Sequence, residues 1–280
     1  MRIKSLFAVV GVVVLLCSSV VMAQSQEDEV VQQYLNRMTK KHTQKLTYIS
    51  GHFEMNRINR NNDYNKFATN VSTNLQGTSL PWLSQAKTLG ADFGIVFNQK
   101  FAWSIGGEYW LKMGQSLSGD YYYAPIGANI TNPKSELQVY GFTTGLQYYL
   151  VNHPELSGAL NNIAVRIGGT AGFYQVSWKL WNEYENLNLS TGLSTGSNTT
   201  FKDNAPGFAM NLGVDYPLNF HNMAIGVDLS YLYLNFDKVA WYNTQNEEVV
   251  ATYNNSPDSR VELNLSGVRG RIELKRFFSW

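Results

Sequence analysis

The sequence predicts an all-β fold: a closed eight-stranded antiparallel transmembrane β-barrel with a short N-terminal helix. Eight segments carry apolar residues at every second position, which is the period of a β-strand. The connections between these segments are alternately long and short along the chain. The composition has 17 Tyr, 14 Phe, 7 Trp and 23 Gly with only 15% charged residues, which suits a membrane barrel but also a soluble β-sandwich.

The first residues have the three parts of a secretory signal peptide. Basic Arg2 and Lys4 precede an apolar run that ends at Leu16, and Val21-Met22-Ala23 forms a cleavage site. A membrane helix is the alternative, but the run is short for a bilayer. We therefore predict a signal peptide at 1–23, a periplasmic extension or helix at 24–45, and an outer-membrane barrel at 46–280.

The segment after the signal peptide is predicted to contain the short helix. Ser25 to Asp28 resembles a capping box, and apolar residues follow at helical spacing from Val30 to Met38. We place this helix near residues 27–42. The sequence leaves open whether it lies against the membrane.

The strand pattern is clearest in the third segment, where alternate residues from Phe101 to Met113 are apolar and those between are mostly small or polar. The fourth segment (140–150), the sixth (208–216) and the seventh (225–233) repeat it. The second and fifth follow it less fully, and the first, near 46–58, is the weakest. A final amphipathic segment ends the chain.

Connection lengths predict which end of the barrel faces outward. Long connections fall near 59–89, 115–136, 185–205 and 243–260, and short ones near 98–100, 151–162 and 219–222. Bacterial outer-membrane barrels have short periplasmic turns, long outer loops and an even number of strands. All seven prolines, Pro206 among them, fall in the predicted connections or at strand ends, as the missing N–H requires.

Three features predict that the apolar faces point outward into lipid, the reverse of a soluble barrel. Large aromatic residues such as Trp103 and Tyr148 cluster near strand ends, and the opposite faces are rich in small residues. The last strand has apolar Ile272, Leu274, Phe278 and Trp280 on one face, with Arg276 as an exception that can reach the headgroups.

This last strand, which closes on an aromatic residue, resembles the C-terminal signature of bacterial outer-membrane proteins, and the architecture resembles the small barrels of the OmpA, OmpX and OmpW type. The resemblance implies recognition by the barrel-assembly machinery, with Phe278 and Trp280 as the assembly signal.

Charged residues at alternate positions are predicted to meet inside the barrel. An eight-stranded lumen is wide enough for little more than side chains, so these residues should pair and fill it. A gated ion path or a proton-linked site is the alternative. The predicted lumen charge network consists of Glu54, Asp92, Glu108, Lys112, Arg166, Asp215, Asp228, Arg269, Arg271, Glu273 and Lys275.

Catalytic and cofactor signatures are weak. Ser50, His52 and Glu54 lie on one predicted strand face and could form a hydrolytic relay, but side chains spaced along one strand converge poorly. We see no phosphate loop, dinucleotide fingerprint or metal-binding His pair, and predict no cofactor and no metal. The 22 basic and 21 acidic residues form no block that would favour nucleic acid.

The sequence therefore predicts a non-enzymatic outer-membrane protein with a structural or binding role, in contact with outer-membrane lipid. An extracellular ligand would bind through the loops, where Trp82 and Tyr121 to Tyr123 are candidate contacts. A narrow channel for small hydrophobic molecules and a lipid-modifying enzyme are the alternatives, because one scaffold hosts many functions.

Overall fold

The computed structural model describes residues 46–97, 100–124, 127–151, 163–181, 189–190, 198–218, 222–242, 248–253 and 260–279. These residues belong to one of two compact units of the chain, Lys45–Ser279. The predicted signal peptide, the predicted helix near 27–42 and Trp280 lie outside the described residues.

The described chain consists of β-strands and one helix. In chain order the elements are β1 (Leu46–Ile58), α1 (Asp63–Asn74), β2 (Gln85–Phe97), β3 (Phe101–Ser116), β4 (Asp120–Tyr123), β5 (Ala128–Thr131), β6 (Lys134–Val151), β7 (Ala164–Trp181), β8 (Leu189–Ser190), β9 (Asn198–Leu218), β10 (Met223–Phe236), β11 (Ala240–Tyr242), β12 (Glu248–Val250), β13 (Thr252–Tyr253), β14 (Leu263–Asn264) and β15 (Gly267–Ser279).

Eight of these strands form a closed antiparallel barrel. β1 pairs with β2 on one side and with β15 on the other, with Leu46 opposite Ser279 and Ile58 opposite Gly267. The remaining pairs run β2–β3, β3–β6, β6–β7, β7–β9, β9–β10 and β10–β15. The predicted fold class of the barrel is confirmed, including its first strand at 46–58.

Four neighbouring strands make one side of the barrel wall taller than the other. β3, β6, β7 and β9 have 16, 18, 18 and 21 residues, whereas β1, β2, β10 and β15 have 13, 13, 14 and 13. The predicted connections near 115–136 and 185–205 are therefore partly wrong, because β6 begins at Lys134 and β9 begins at Asn198. The small strands β4 and β5 form a hairpin in the second connection.

The tall strands reverse their polarity part-way along their length. On β7, inward Arg166 and outward Phe173 belong to the lower part of the wall, whereas inward Trp178 and outward Lys179 belong to the upper part. β6 and β9 show the same reversal above Tyr140 and Phe208. The lower wall therefore has the pattern of a membrane barrel, and the upper wall has that of a water-soluble protein.

The placement of Pro206 differs from the prediction. It lies inside β9, opposite Phe173 of β7. The pairing of β9 with β10 stops at Gly207 and Leu234, so the other edge of β9 has no β10 partner at Pro206. A proline is tolerated there because that edge requires no N–H donor.

The first long connection contains α1, which the alternation did not predict. Asn62 caps it, since its side chain accepts a hydrogen bond from the Asn65 backbone N–H. The apolar side of α1 closes the outer end of the barrel, where Phe67 packs edge-on against Trp178 with ring centroids 5.4 Å apart. Within the described ranges no helix is both long and apolar enough to cross a membrane.

Candidate functional site in the barrel interior and its outer end

The barrel interior consists of three layers between the short-turn end and the outer end. At the short-turn end, Tyr48, Tyr149 and Phe277 belong to a small apolar cluster. Charged side chains fill the middle layer. Above them, Trp110, Tyr174 and Trp178 belong to a large apolar core that includes α1.

The lower half of the charged layer, which we call the lower cluster, contains Arg166, Asp215, Asp228, Glu273 and Lys275. Nη2 of Arg166 lies 2.8 Å from Asp228 Oδ2 and 2.8 Å from Glu273 Oε2, and its Nε lies 3.1 Å from Asp215 Oδ2. Lys275 Nζ lies 2.9 Å from Asp215 Oδ2. These five side chains come from four strands, so their ion pairs tie one half of the wall together.

Glycine leaves the space that the lower cluster needs. A Cβ atom at Gly213 would lie 1.9 Å from Asp228 Oδ1, and one at Gly226 would lie 2.5 Å from Asp215 Oδ1. Any side chain at these two positions would displace a carboxylate from Arg166. The sequence pattern predicted small inward residues but not which charge each one accommodates.

The upper half, which we call the upper cluster, contains His52, Glu54, Asp92, Glu108, Arg269 and Arg271. Arg269 pairs with Glu54 and with Glu108, where Nη2 lies 2.7 Å from Oε2. Arg271 pairs with Glu54, and its Nη1 lies 3.4 Å from Asp92 Oδ2. The inward face also supplies two uncharged partners, Asn56, which accepts from Arg269 Nε, and Tyr174, which donates to Glu108.

Lys112 does not join the predicted network, and its expected interior position is wrong. A β-bulge between Trp110 and Met113 adds one residue to β3, so the inward side changes from even to odd numbers. Lys112 consequently points outward, with a side chain 49% exposed and its Nζ 2.5 Å from Glu136. The other ten predicted network residues lie in the two clusters.

The interior does not suit a divalent metal ion. His52, Glu54 and Glu108 bring one ligand atom each within 4.8 Å of one another. However, Arg269 pairs with both carboxylates and Arg271 pairs with Glu54, so two fixed positive charges already occupy the positions where a cation would bind. We assign these residues to the charge network.

The Ser50, His52 and Glu54 combination does not form a relay with an accessible nucleophile. His52 Nδ1 lies 3.1 Å from Asp92 and its Nε2 lies 3.7 Å from Glu54. Ser50 Oγ lies 3.5 Å from Asp92 rather than beside the imidazole. All three side chains are buried inside the wall, which separates them from lipid outside.

The loop residues that the sequence singled out have different environments. Tyr122 and Trp82 are exposed, Tyr121 is half-buried against the outer apolar core, and Tyr123 is fully buried within it. Burial raises the pKa of Tyr123 far above that of a free phenol. Tyr123 is therefore a packing residue, and its predicted role as a contact is wrong.

The outer surface of the lower wall decides where the barrel resides. Phe142, Phe173, Phe208, Met210 and Tyr231 are all strongly exposed on it, whereas the charged residues of the same height face inward. Near the short-turn end, Phe97, Phe101 and Tyr148 form a continuous aromatic contact. A closed antiparallel barrel with an apolar band outside and charges inside is embedded in a bacterial outer membrane.

It is an outer-membrane barrel. No family model and no curated protein matches the sequence. Similar solved structures include the outer membrane protein OprG from Pseudomonas aeruginosa, 14% identical, covering 85% of this chain and 97% of that chain with a TM-score of 0.48. Neisserial surface protein A is 10% identical, with coverage of 85% and 98% and a TM-score of 0.42.

The outer membrane protease OmpT from Escherichia coli is also similar, at 10% identity, with coverage of 85% and 98% and a TM-score of 0.35. A protease and a surface protein thus accompany OprG among the neighbours. Likeness at these identities and TM-scores does not select a function for this barrel.

Proposed function

We propose that this protein is a non-enzymatic, non-conducting outer-membrane barrel whose role, structural or binding, resides in the folded loops at its outer end. The observation that carries the proposal is the continuous filling of the interior. The two charge clusters occupy the middle of the lumen, and α1 with the surrounding apolar core occupies the outer mouth. A path for ions would require these two layers and the apolar layer at the short-turn end all to open.

Among the described residues, hydrogen bonds tie the loops of the outer end to one another. Asp63 accepts a hydrogen bond from the Glu262 backbone N–H at 2.7 Å, which ties α1 to the last loop region. The backbone N–H of Gln76 donates to the Tyr122 carbonyl at 3.1 Å, which ties the first loop to the β4–β5 hairpin. Loops held together on a rigid scaffold are where binding usually resides.

Planar-bilayer recording tests the closed interior. We expect no steady conductance from the purified wild-type barrel, and none from Ser104→Ala, which changes an inward hydroxyl but no charge. Replacement of residues 60–82 by a Gly-Ser linker removes the plug but leaves both charge clusters in place, so this variant should also give no steady conductance. A steady, ion-selective current from the wild type would instead support the channel alternative.

The enzyme alternative has its own readout. Expression of the wild type and of a His52→Gln variant in the same host should give lipid A of identical mass. A mass change that depends on His52 would contradict the non-enzymatic proposal.

A further inference from the structure

Three exposed cationic side chains near the outer end of the barrel have no acidic partner in the part of the chain that the structure describes. They are Arg57 at the top of β1, Arg60 directly after it, and Lys87 on β2, and all three are exposed. Among the described residues, no carboxylate lies within ion-pair distance of any of them. By contrast, Lys112 and Lys238 each have a carboxylate at 2.5 Å.

The register places two of these cations directly above the apolar band. On β1, Met55 is exposed toward lipid, and Arg57 is the next outward residue. On β2, Lys87 is opposite Met55, and Leu89 below it is again exposed toward lipid. Arg57 and Lys87 therefore lie where the apolar surface ends, at the height of the lipid headgroups.

Arg60 belongs to a shallow pocket of about 540 Å³ on the outer side of α1, which Lys66, Thr69, Thr73 and Trp82 also line. Trp82 is 54% exposed, and its indole provides an apolar surface beside the cations. Lys66 pairs with Asp63 at 2.8 Å, yet its side chain remains 63% exposed. The pocket thus combines an aromatic face, hydroxyl groups and positive charge.

Asn65 holds the two sides of this pocket together. Its buried side-chain amide donates to the Arg60 carbonyl at 2.9 Å and to the Leu83 carbonyl at 3.0 Å. Its side-chain oxygen accepts from the Leu83 N–H at 2.6 Å. Because Trp82 immediately precedes Leu83, one buried residue fixes the backbone beside Arg60 and beside Trp82, and the pocket is built before any ligand arrives.

The chemistry of this surface matches a phosphorylated saccharide. Guanidinium groups bind phosphate oxygens with charge-assisted hydrogen bonds, and a sugar ring packs its C–H face on an exposed indole. The Thr69 and Thr73 hydroxyls donate to the helix carbonyls four residues earlier, so their oxygens remain acceptors for sugar hydroxyls.

We propose that Arg57, Arg60, Lys66, Lys87 and Trp82 form a binding site for the phosphorylated sugar headgroup of a lipid in the outer leaflet. The lipid source follows from position, because Arg57 and Lys87 connect the pocket to the apolar band on which acyl chains lie. This proposal rests on the proposed function in one respect, namely that the long-loop end of the barrel faces the outside of the cell.

Native mass spectrometry of the detergent-purified barrel tests this site with lipid A and with dephosphorylated lipid A as matched probes. The wild type should retain the phosphorylated lipid and release the dephosphorylated one. The triple variant Arg57→Gln, Arg60→Gln, Lys87→Gln should lower the retained fraction about tenfold, since three charge-assisted contacts are lost. Trp82→Ala should lower it about threefold.

Two matched controls test whether the loss of any exposed cation or of any exposed aromatic ring would lower lipid retention equally. Lys202→Gln removes an exposed cation from β9 on the tall side of the wall, and Tyr216→Ala removes an exposed aromatic ring from β9 near the short-turn end. Both should retain lipid A as the wild type does. Each variant is first shown to be folded by its unboiled mobility in detergent gels.

Equal retention of both lipids, or full retention by the triple variant, would overturn the proposal. Water-soluble glucosamine 6-phosphate serves as a third probe, and its binding without retention of lipid A would overturn the lipid assignment. The outcome is separate from the conductance test, because a conducting barrel that retains lipid A through these residues would contradict only the proposed closed interior.

Discussion

Arg166 of β7 and Glu273 of β15 form an ion pair across the lumen, with Nη2 2.8 Å from Oε2, although two strands of the barrel lie between them. Both side chains are buried, so the pair links opposite parts of the wall through the interior. Such cross-links make the lower cluster a structural element of the barrel.

Truncation of Arg166 should therefore destabilise the barrel. Arg166→Ala leaves Asp215 and Glu273 with Lys275 as their remaining ion-pair partner among the described residues and leaves Asp228 with none, which should cost about 3 kcal/mol of unfolding free energy where the site remains dry. Urea-dependent unfolding in lipid vesicles measures the change. Ser104→Ala removes a buried hydroxyl from β3 but no charge. It is the control and should lower the free energy of unfolding by less than about 1 kcal/mol. If both variants behaved alike, the paired interior would be contradicted.

The outer core should loosen at alkaline pH. Burial raises the pKa of Tyr64 and of Tyr123 above that of a free tyrosine. Because the folded state binds these protons more tightly than the unfolded state, their contribution to stability is complete below pH of about 10 and is lost as the pH rises beyond it. Limited proteolysis of the loops between pH 8 and 11 should show this loss. Tyr123→Phe should reduce it, and an unchanged profile would contradict the buried phenol.

Phe67 should determine whether α1 remains in the outer mouth. Phe67→Ala removes a buried ring that packs on Trp178, and such truncations cost about 3–5 kcal/mol. Amide hydrogen exchange in α1 should accelerate, while exchange in the membrane-spanning strands should not. Thr73→Ala on the exposed side of α1 is the control, and equal exchange in the two variants would show that the helix is held by other contacts.

The C-terminal residues should be needed for efficient assembly. Deletion of Phe278 to Trp280 removes the lipid-facing Phe278 together with the end of β15, the strand that closes the barrel on β1. Less heat-modifiable barrel should accumulate in the outer-membrane fraction, whereas Trp280→Phe should assemble normally. Normal accumulation of the truncated chain would contradict an assembly signal at this position.

Single cysteines should report the orientation of the barrel. Thr73→Cys on α1 and Ser118→Cys beside β4 lie at the long-loop end, and Lys100→Cys lies in the short turn between β2 and β3. An impermeant maleimide added to whole cells should label the first two and spare the third. The reverse labelling would invert the barrel and would place the proposed lipid site in the periplasmic leaflet.

The sequence predicted the barrel because one rule, alternation, governs every strand where one face meets lipid. The same rule was correct for ten of the eleven predicted charged residues, which lie in the clusters, because alternation along a strand decides which of its side chains face inward. It failed at Lys112, where the bulge after Trp110 changes the parity without a local sequence signal.

The alternating pattern could not predict the apolar core at the outer end for a different reason. α1 lies in a stretch rich in Asn and Thr, and it packs in place because Phe67 and Tyr64 meet Trp178, more than a hundred residues later. The reversal of polarity above Phe173 is likewise a property of four strands together, and no single segment reveals it.

That reversal also bears on how the chain enters its membrane. Glu136, Lys179 and Lys202 reach the outer side of the membrane only if the upper wall crosses the hydrocarbon layer. A lysine at mid-bilayer costs about 2–4 kcal/mol, and a glutamate costs less. These charges therefore add to the barrier that unassisted insertion of the barrel would have to cross. The same charges would have to cross the hydrocarbon layer again for the barrel to leave the membrane, so they also help the inserted barrel to keep its orientation.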